Sequence, residues 1–108
     1  IRTAKMVHGD IAVAVAEKEV PRVTAAKAAD DLMGLEGVQA SIVLYRQGDG
    51  VSMSGRSQGE INVQLILEPL GGGGNSTAAG GHVMESSPET VYRRLLASID
   101  AYYEQLPT

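Results

Sequence analysis

Residues 10–46 read DIAVAVAEKEVPRVTAAKAADDLMGLEGVQASIVLYR, and the changes of period inside this stretch decide the fold class. Ile11, Val13 and Val15 alternate with small alanines, the pattern of a strand covered on both faces, which predicts a strand over residues 10–17. Pro21 stands where a first helical position tolerates it. Ala25, Ala28, Ala29, Leu32 and Met33 then recur at helical spacing until Gly34, which predicts a helix over 21–33 with a glycine stop. From Val38 to Arg46 the β-branched alternation returns as a second strand.

Outward from this unit the periodicity changes again. Gln47-Gly48-Asp49-Gly50 is a polar turn of the kind that closes a hairpin, and residues 51–57 alternate, with Val51, Met53 and Gly55 on one face and Ser52, Ser54 and Arg56 on the other. Ile61, Leu65 and Ile66 mark a short helix over 61–68, broken near Pro69. Six of the thirteen glycines fall between Gly71 and Gly81, in the run GGGGNSTAAGG. Within it, Asn75 to Ala79 reads as a cap and a short helical turn, and a strand over 81–85 follows. Ser87, Pro88 and Glu89 form a helix start, and Val91, Leu95, Ile99, Tyr102 and Leu106 run along one face of the helix that follows. Strands and helices are interleaved without an internal repeat. The expected architecture is α/β: a mixed sheet of four to five strands covered by helices, in a single domain over 1–108 with its core at about 10–105.

A chain of 108 residues, 44% hydrophobic and 20% charged, is one ordinary globular domain, too short for two cores. With no Cys, a disulfide scaffold, a Cys-ligated zinc and a thiol nucleophile are excluded. Nine basic residues against thirteen acidic ones disfavour a grip on long nucleic acid through many phosphates, but allow a short anionic ligand held by one or two fixed groups. No apolar run is long enough to span a bilayer and no signal peptide opens the chain, so a soluble domain is expected. The chain begins at Ile rather than Met, which reads as a piece of something longer.

The inventory of reactive groups is short. His8 and His82, the two histidines, fit no metal spacing and read as surface or strand-end residues. Asp30 and Asp31 are neighbours about 100° apart on a helix and read as a solvated helix end. No Walker loop or GxGxxG fingerprint occurs, and Asn75-Ser76-Thr77 matches the glycosylation pattern by chance. Two segments remain. Arg56 is the sole Lys or Arg between Gln47 and His82, and it shares that stretch with the glycine run. Placed together they form an anion site: a planar guanidinium fork, backbone amides unshielded by Cβ atoms, and the positive end of the helical turn near Ser76. An arginine contact and a helix terminus together supply roughly 3 to 6 kcal/mol, which is millimolar to high micromolar binding, half of a site. A flexible linker is the plain alternative for four consecutive glycines.

Two quoted stretches, AADDLMGLEGVQASIVLYRQGDGV (28–51) and SGRSQGEINVQLILEPLGGGGNSTAAG (54–80), resemble the C-terminal DHH-associated domain of the DHH phosphoesterase family. Within it they are most similar to the GdpP-type cyclic-di-AMP phosphodiesterases, whose segments read like ASFVLY, SARS, INVQLIMEKLGGGGH and AAG. The resemblance implies a two-lobed parent. An N-terminal DHH lobe holds two manganese ions on Asp and His ligands, and this C-terminal lobe grips substrate across the cleft. It assigns phosphate contact to Arg56, the glycine motif to Gly71, Gly72, Gly73 and Gly74, and a further contact to Asn62. The family's histidine after the glycines falls on Asn75, which can hydrogen-bond but cannot carry positive charge. Pro69 shortens the helix before the loop.

The expected function is therefore the substrate-binding lobe of a manganese-dependent phosphodiesterase acting on cyclic di-AMP or short oligonucleotides, with no catalytic or metal-binding residue of its own. Its expected partners are the nucleotide and the parent's DHH lobe, without direct membrane contact, in a cytoplasmic setting that a membrane-anchored parent would share. The alternative is a non-catalytic nucleotide or single-strand nucleic-acid binding module, which Asn75 favours. A third reading uses the Val91 to Leu106 face as a homodimer surface.

Overall fold

A computed structural model of the chain describes residues 4–106. Six strands form one mixed sheet, two more than the lower sequence expectation, in the order β1-β2-β3-β4-β6-β5. β1 (Ala4–Val7) and β2 (Ile11–Glu19) form an antiparallel pair, and α1 (Arg22–Leu32) carries the chain across to β3 (Ala40–Gln47), parallel to β2. β3 turns back into β4 (Gly50–Ser57), and α2 (Val63–Leu67) leads through a 3-10 turn at Glu68–Leu70 to β5 (Gly73–Gly74) and β6 (Ala78–Val83). β6 pairs antiparallel with both β4 and β5, and α3 (Pro88–Glu104) closes the chain.

Alternation along the strands sorts side chains onto two unequal layers. Ile11, Val13, Ile42, Leu44, Val51 and Met53 pack beneath α2 and α3, against Val63, Ile66, Leu67, Val91, Leu95 and Ile99. On the opposite face Ala14, Ala16, Val43 and Tyr45 meet Ala25 and Ala29 of α1, so the alanines let that helix lie close to the sheet. Ser41, fully buried in this layer, donates its hydroxyl proton to the Ala29 carbonyl at 2.6 Å, which satisfies that hydroxyl. Among the described residues α1 rests mainly over β3 and β4.

The predicted helix over 61–68 is shorter than expected. α2 stops at Leu67, Pro69 lies in the 3-10 turn, and Gly71 in the left-handed conformation (φ 88°) ends it. The helical turn expected at Asn75–Ala79 does not form. Asn75 Oδ1 accepts from the backbone N–H of Thr77 and Ala78 at 3.0 and 2.9 Å, a side-chain turn that competes with helix, and Ala78 and Ala79 join the ladder opposite Arg56 and Gly55. The strand expected over 81–85 accordingly spans Ala78–Val83, and Glu85 turns away at φ 50°. β1 and β5, which the sequence reading did not contain, are short edge strands.

α3 follows its expected pattern. Val91, Leu95 and Ile99 are fully buried, while Leu106 lies beyond the helix and is exposed, so the apolar stripe is used within the domain. Its C-terminal half holds the β1–β2 turn. Tyr103 donates to Asp10, His8 stacks on the Tyr103 ring at 4.3 Å, and His8 Nε2 lies 2.8 Å from Asp100 Oδ1. Burial first, then the hydrogen bond to Asp10 and its charge, hold the Tyr103 phenol proton well above its usual range. At the other end Ser87 Oγ accepts from Thr90 N–H at 3.2 Å. Ser87→Ala is expected to lower unfolding stability by about 1 kcal/mol, shifting the melting temperature by roughly 4–8 °C in thermal denaturation, with the native spectrum unchanged.

Candidate functional site

Because α1 covers only part of its face, the β4–β6 half of the sheet forms the floor of an open cavity of about 600 Å³. Register places the floor residues. Ser52, Ser54 and Arg56 of β4 stand opposite His82, Gly80 and Ala78 of β6, all on the α1 side. Arg22 and Ala26 of α1 and Tyr45 and Gln47 of β3 bound one side, and Gly73 and Gly74 of β5 bound the other. The floor is almost free of bulk, since Ser, Gly and Ala alternate along both strands.

Arg56 is held from three directions. Its Nε donates to Asp30 Oδ1 at 3.0 Å, and Nη1 donates to the Gly55 carbonyl at 2.8 Å and toward Ser54 Oγ at 3.5 Å. Nη2 has no hydrogen-bond partner among the described residues, so one prong of the fork is left for a ligand. Asp30 is the exposed helix end read from sequence, with a partner the sequence did not show. The last turns of α1 lie over β4, which brings residue 30 to Arg56, while Asp31 pairs with Lys27 one turn back at 3.4 Å. With the Asp30 carboxylate largely in water, the Arg56 pair is worth about 0–1 kcal/mol, too little to keep a phosphate from competing.

The four glycines divide between two tasks. Gly71 N–H donates to the Glu68 carbonyl and Gly72 N–H to the Leu67 carbonyl, both at 2.9 Å, so these amides are spent inside the fold. A Cβ on Gly72 would lie 2.8 Å from Gly80 O, and one on Gly81 would lie 2.7 Å from Gly72 Cα; the loop packs backbone against backbone on β6. Gly73 and Gly74 line the cavity beside Arg56. A Cβ on Gly73 would meet nothing within 4 Å, whereas Gly74 (φ 142°) could not carry one without striking Ala78 O at 2.4 Å.

The remaining candidates lie outside this lining. Asn62 caps α2, its Oδ1 accepting from Leu65 N–H at 3.1 Å while its own N–H donates to Tyr102 Oη at 2.9 Å. Asn75 Oδ1 is occupied by Thr77 and Ala78 in the β5–β6 turn. Conversely, the cavity contains residues the sequence reading passed over: His82, Ser52, Gln47, Tyr45 and Arg22. The alternation of β4 already placed Ser52 on the same face as Arg56, but only the β4–β6 register sets His82 opposite Ser52. Among the described residues, no three His, Cys, Asp or Glu side chains gather as a metal site, and no helix is long and apolar enough to cross a membrane.

Comparisons with known proteins follow the same geometry. Residues 8–105 match the DHHA1 domain family. The chain is 36% identical over 107 residues to the cyclic-di-AMP phosphodiesterase PdeA of Listeria monocytogenes, which covers 96% of this chain and 16% of that protein. It is 42% identical over 90 residues to the cyclic-di-AMP phosphodiesterase GdpP of Geobacillus thermodenitrificans, covering 82% and 14%. The bifunctional oligoribonuclease and PAP phosphatase NrnA of Thermus thermophilus is 36% identical over 74 residues, covering 65% and 23%. The chain therefore spans less than a quarter of each of these relatives. Among solved structures, the C-Ala domain of Aquifex aeolicus alanyl-tRNA synthetase shares the fold at a TM-score of 0.64 and 18% identity, covering 88% of this chain and 98% of that one. With a family match that takes in every element except β1, and identities of 36–42% to the two cyclic-di-AMP phosphodiesterases, the chain belongs to the DHHA1 domain family.

Proposed function

We propose that this chain is the ligand-gripping lobe of a phosphodiesterase acting on a cyclic dinucleotide or short oligonucleotide, with bond cleavage carried out by another part of a longer protein. One observation carries the proposal: Arg56, with an uncommitted Nη2, shares a cavity with the open Gly73 backbone. That combination suits a phosphate on a slender backbone, and relatives of this chain are named for cyclic di-AMP and for oligoribonucleotides. Arg56 would take the phosphate through Nη2, with Asp30 and the Gly55 carbonyl fixing the plane of the guanidinium. The bulk-free floor would admit the sugar.

The residues described here do not fit a metal, since no three potential ligands converge and the chain has no Cys. Manganese enters the proposal only through the DHH lobe of the parent, in a cytoplasmic setting. What this chain supplies is binding and orientation. A lobe holding one phosphate through one arginine, without the helix terminus expected from sequence, binds weakly by itself, at roughly several to tens of millimolar.

Three outcomes are expected. Arg56→Ala weakens binding of a linear diadenylate, followed by chemical-shift titration, by roughly 10- to 100-fold, the worth of a charge-assisted hydrogen bond. Gly73→Leu, which adds bulk where nothing is met within 4 Å, reduces the same binding and leaves the melting temperature within a few degrees of wild type. If the leucine variant binds normally, the cavity is not the ligand site. Pure chain incubated with manganese and cyclic or linear diadenylate shows no hydrolysis; turnover would place the chemistry in this lobe and overturn the proposal.

A further inference from the structure

At the end of the cavity away from Arg56, three polar side chains form a chain. Ser52, only 3% exposed, donates its hydroxyl proton to Gln47 Oε1 at 2.6 Å. A hydroxyl has one proton, so the 2.8 Å contact between Ser52 Oγ and His82 Nδ1 is an N–H of the ring donating to that oxygen. With the proton on Nδ1, the neutral imidazole keeps a bare lone pair on Nε2. The ring position is set by Gly50, where any Cβ would come within 2.7 Å of Nε2 and 2.9 Å of Cε1. Gln47, its oxygen committed to Ser52, keeps its amide N–H₂ without a hydrogen-bond partner among the described residues. His82 and Gln47, one with an acceptor to spare and the other with a donor, both line the cavity and are joined through one buried hydroxyl.

That pair matches a base edge on which an exocyclic amino donor adjoins a ring-nitrogen acceptor, as N6 adjoins N1 and N7 in adenine. The spacing agrees with a nucleotide lying along the floor. His82 stands opposite Ser52 and Arg56 lies four positions further along β4, about 13 Å at the rise of a strand, with only Ser54, Gly80 and Ala78 between them. We infer that His82 is a specificity-determining residue that accepts a hydrogen bond from the adenine amino group of the nucleotide whose phosphate Arg56 holds, with Ser52 and Gln47 orienting it. The inference rests on the proposed binding of a nucleotide in this cavity.

The test titrates the chain, by protein chemical shifts, with three probes: adenosine 5′-monophosphate, purine riboside 5′-monophosphate, which carries hydrogen in place of the amino group, and ribose 5-phosphate. Wild type is expected to bind the adenosine compound roughly three- to tenfold more tightly than the purine riboside, the worth of one neutral hydrogen bond. His82→Asn retains an N–H for Ser52 but lacks the acceptor at Nε2. It is expected to bind the two purine nucleotides equally, with ribose 5-phosphate affinity unchanged, which also reports a folded cavity. Equal affinity of wild type for the two purine nucleotides overturns the inference, as does a preference that survives in His82→Asn; ribose 5-phosphate binding that still depends on Arg56 would leave the nucleotide site standing. No binding of any probe to wild type overturns both.

Discussion

Strand β4 must satisfy two environments with alternate residues, and the rest of the molecule follows from that constraint. It is hydrogen-bonded on both edges, to β3 and to β6, so its backbone is committed and only the side chains differ between the faces. Val51 and Met53 go beneath α2 and α3, where burying each contributes about 1.5–3 kcal/mol. Ser52, Ser54 and Arg56 are thereby driven to the other face, where α1 rests mainly over β3 and β4. A slip of one residue would bury the arginine and expose the core. The hydrophobic demand of one layer thus fixes where the cavity's polar groups stand.

The glycine run serves that register before it serves a ligand. Gly71 ends the 3-10 turn, and Gly72 lies against Gly80 and Gly81 so closely that no side chain fits between loop and strand. This seam sets how β6 meets α2 and hence where β6 lies beside β4. Gly73, with open space around it, is the member of the run that the fold does not constrain. A motif that reads as one unit in sequence is therefore two positions spent inside the fold and two that line the cavity.

Net acidity is compatible with the anion site we propose because the cationic groups are few and directed. Asp30 neutralises part of Arg56 while orienting it, and the weak surface pair leaves the second prong of the guanidinium to a ligand. At the opposite end of the cavity His82 and Gln47 are joined through Ser52. Binding of this kind relies on the direction of a few donors and acceptors, and a net charge of −4 spread over the surface does little against it at physiological salt.

The strand, helix, strand order at residues 10–46, the two faces of β4, the cap at Ser87 and the buried stripe of α3 were legible in the sequence, because periodicity and capping are local properties of the chain. A shared site for Arg56 and the glycine run was only a condition at that level, and the structure puts Arg56, Gly73 and Gly74 in the lining of one cavity. The strand status of Ala78 and Ala79 was not legible, since the Asn75 side-chain turn and a helical turn compete locally and pairing to β4 is not local. Asp30 beside Arg56, and His82 on Ser52, were equally hidden, being separated by 26 and 30 residues. By itself the sequence determined which residues alternate and where elements start and stop. Which side chains share a cavity was decided by tertiary structure alone, because strand register and helix placement are settled by burial of the whole core, not by any segment within it.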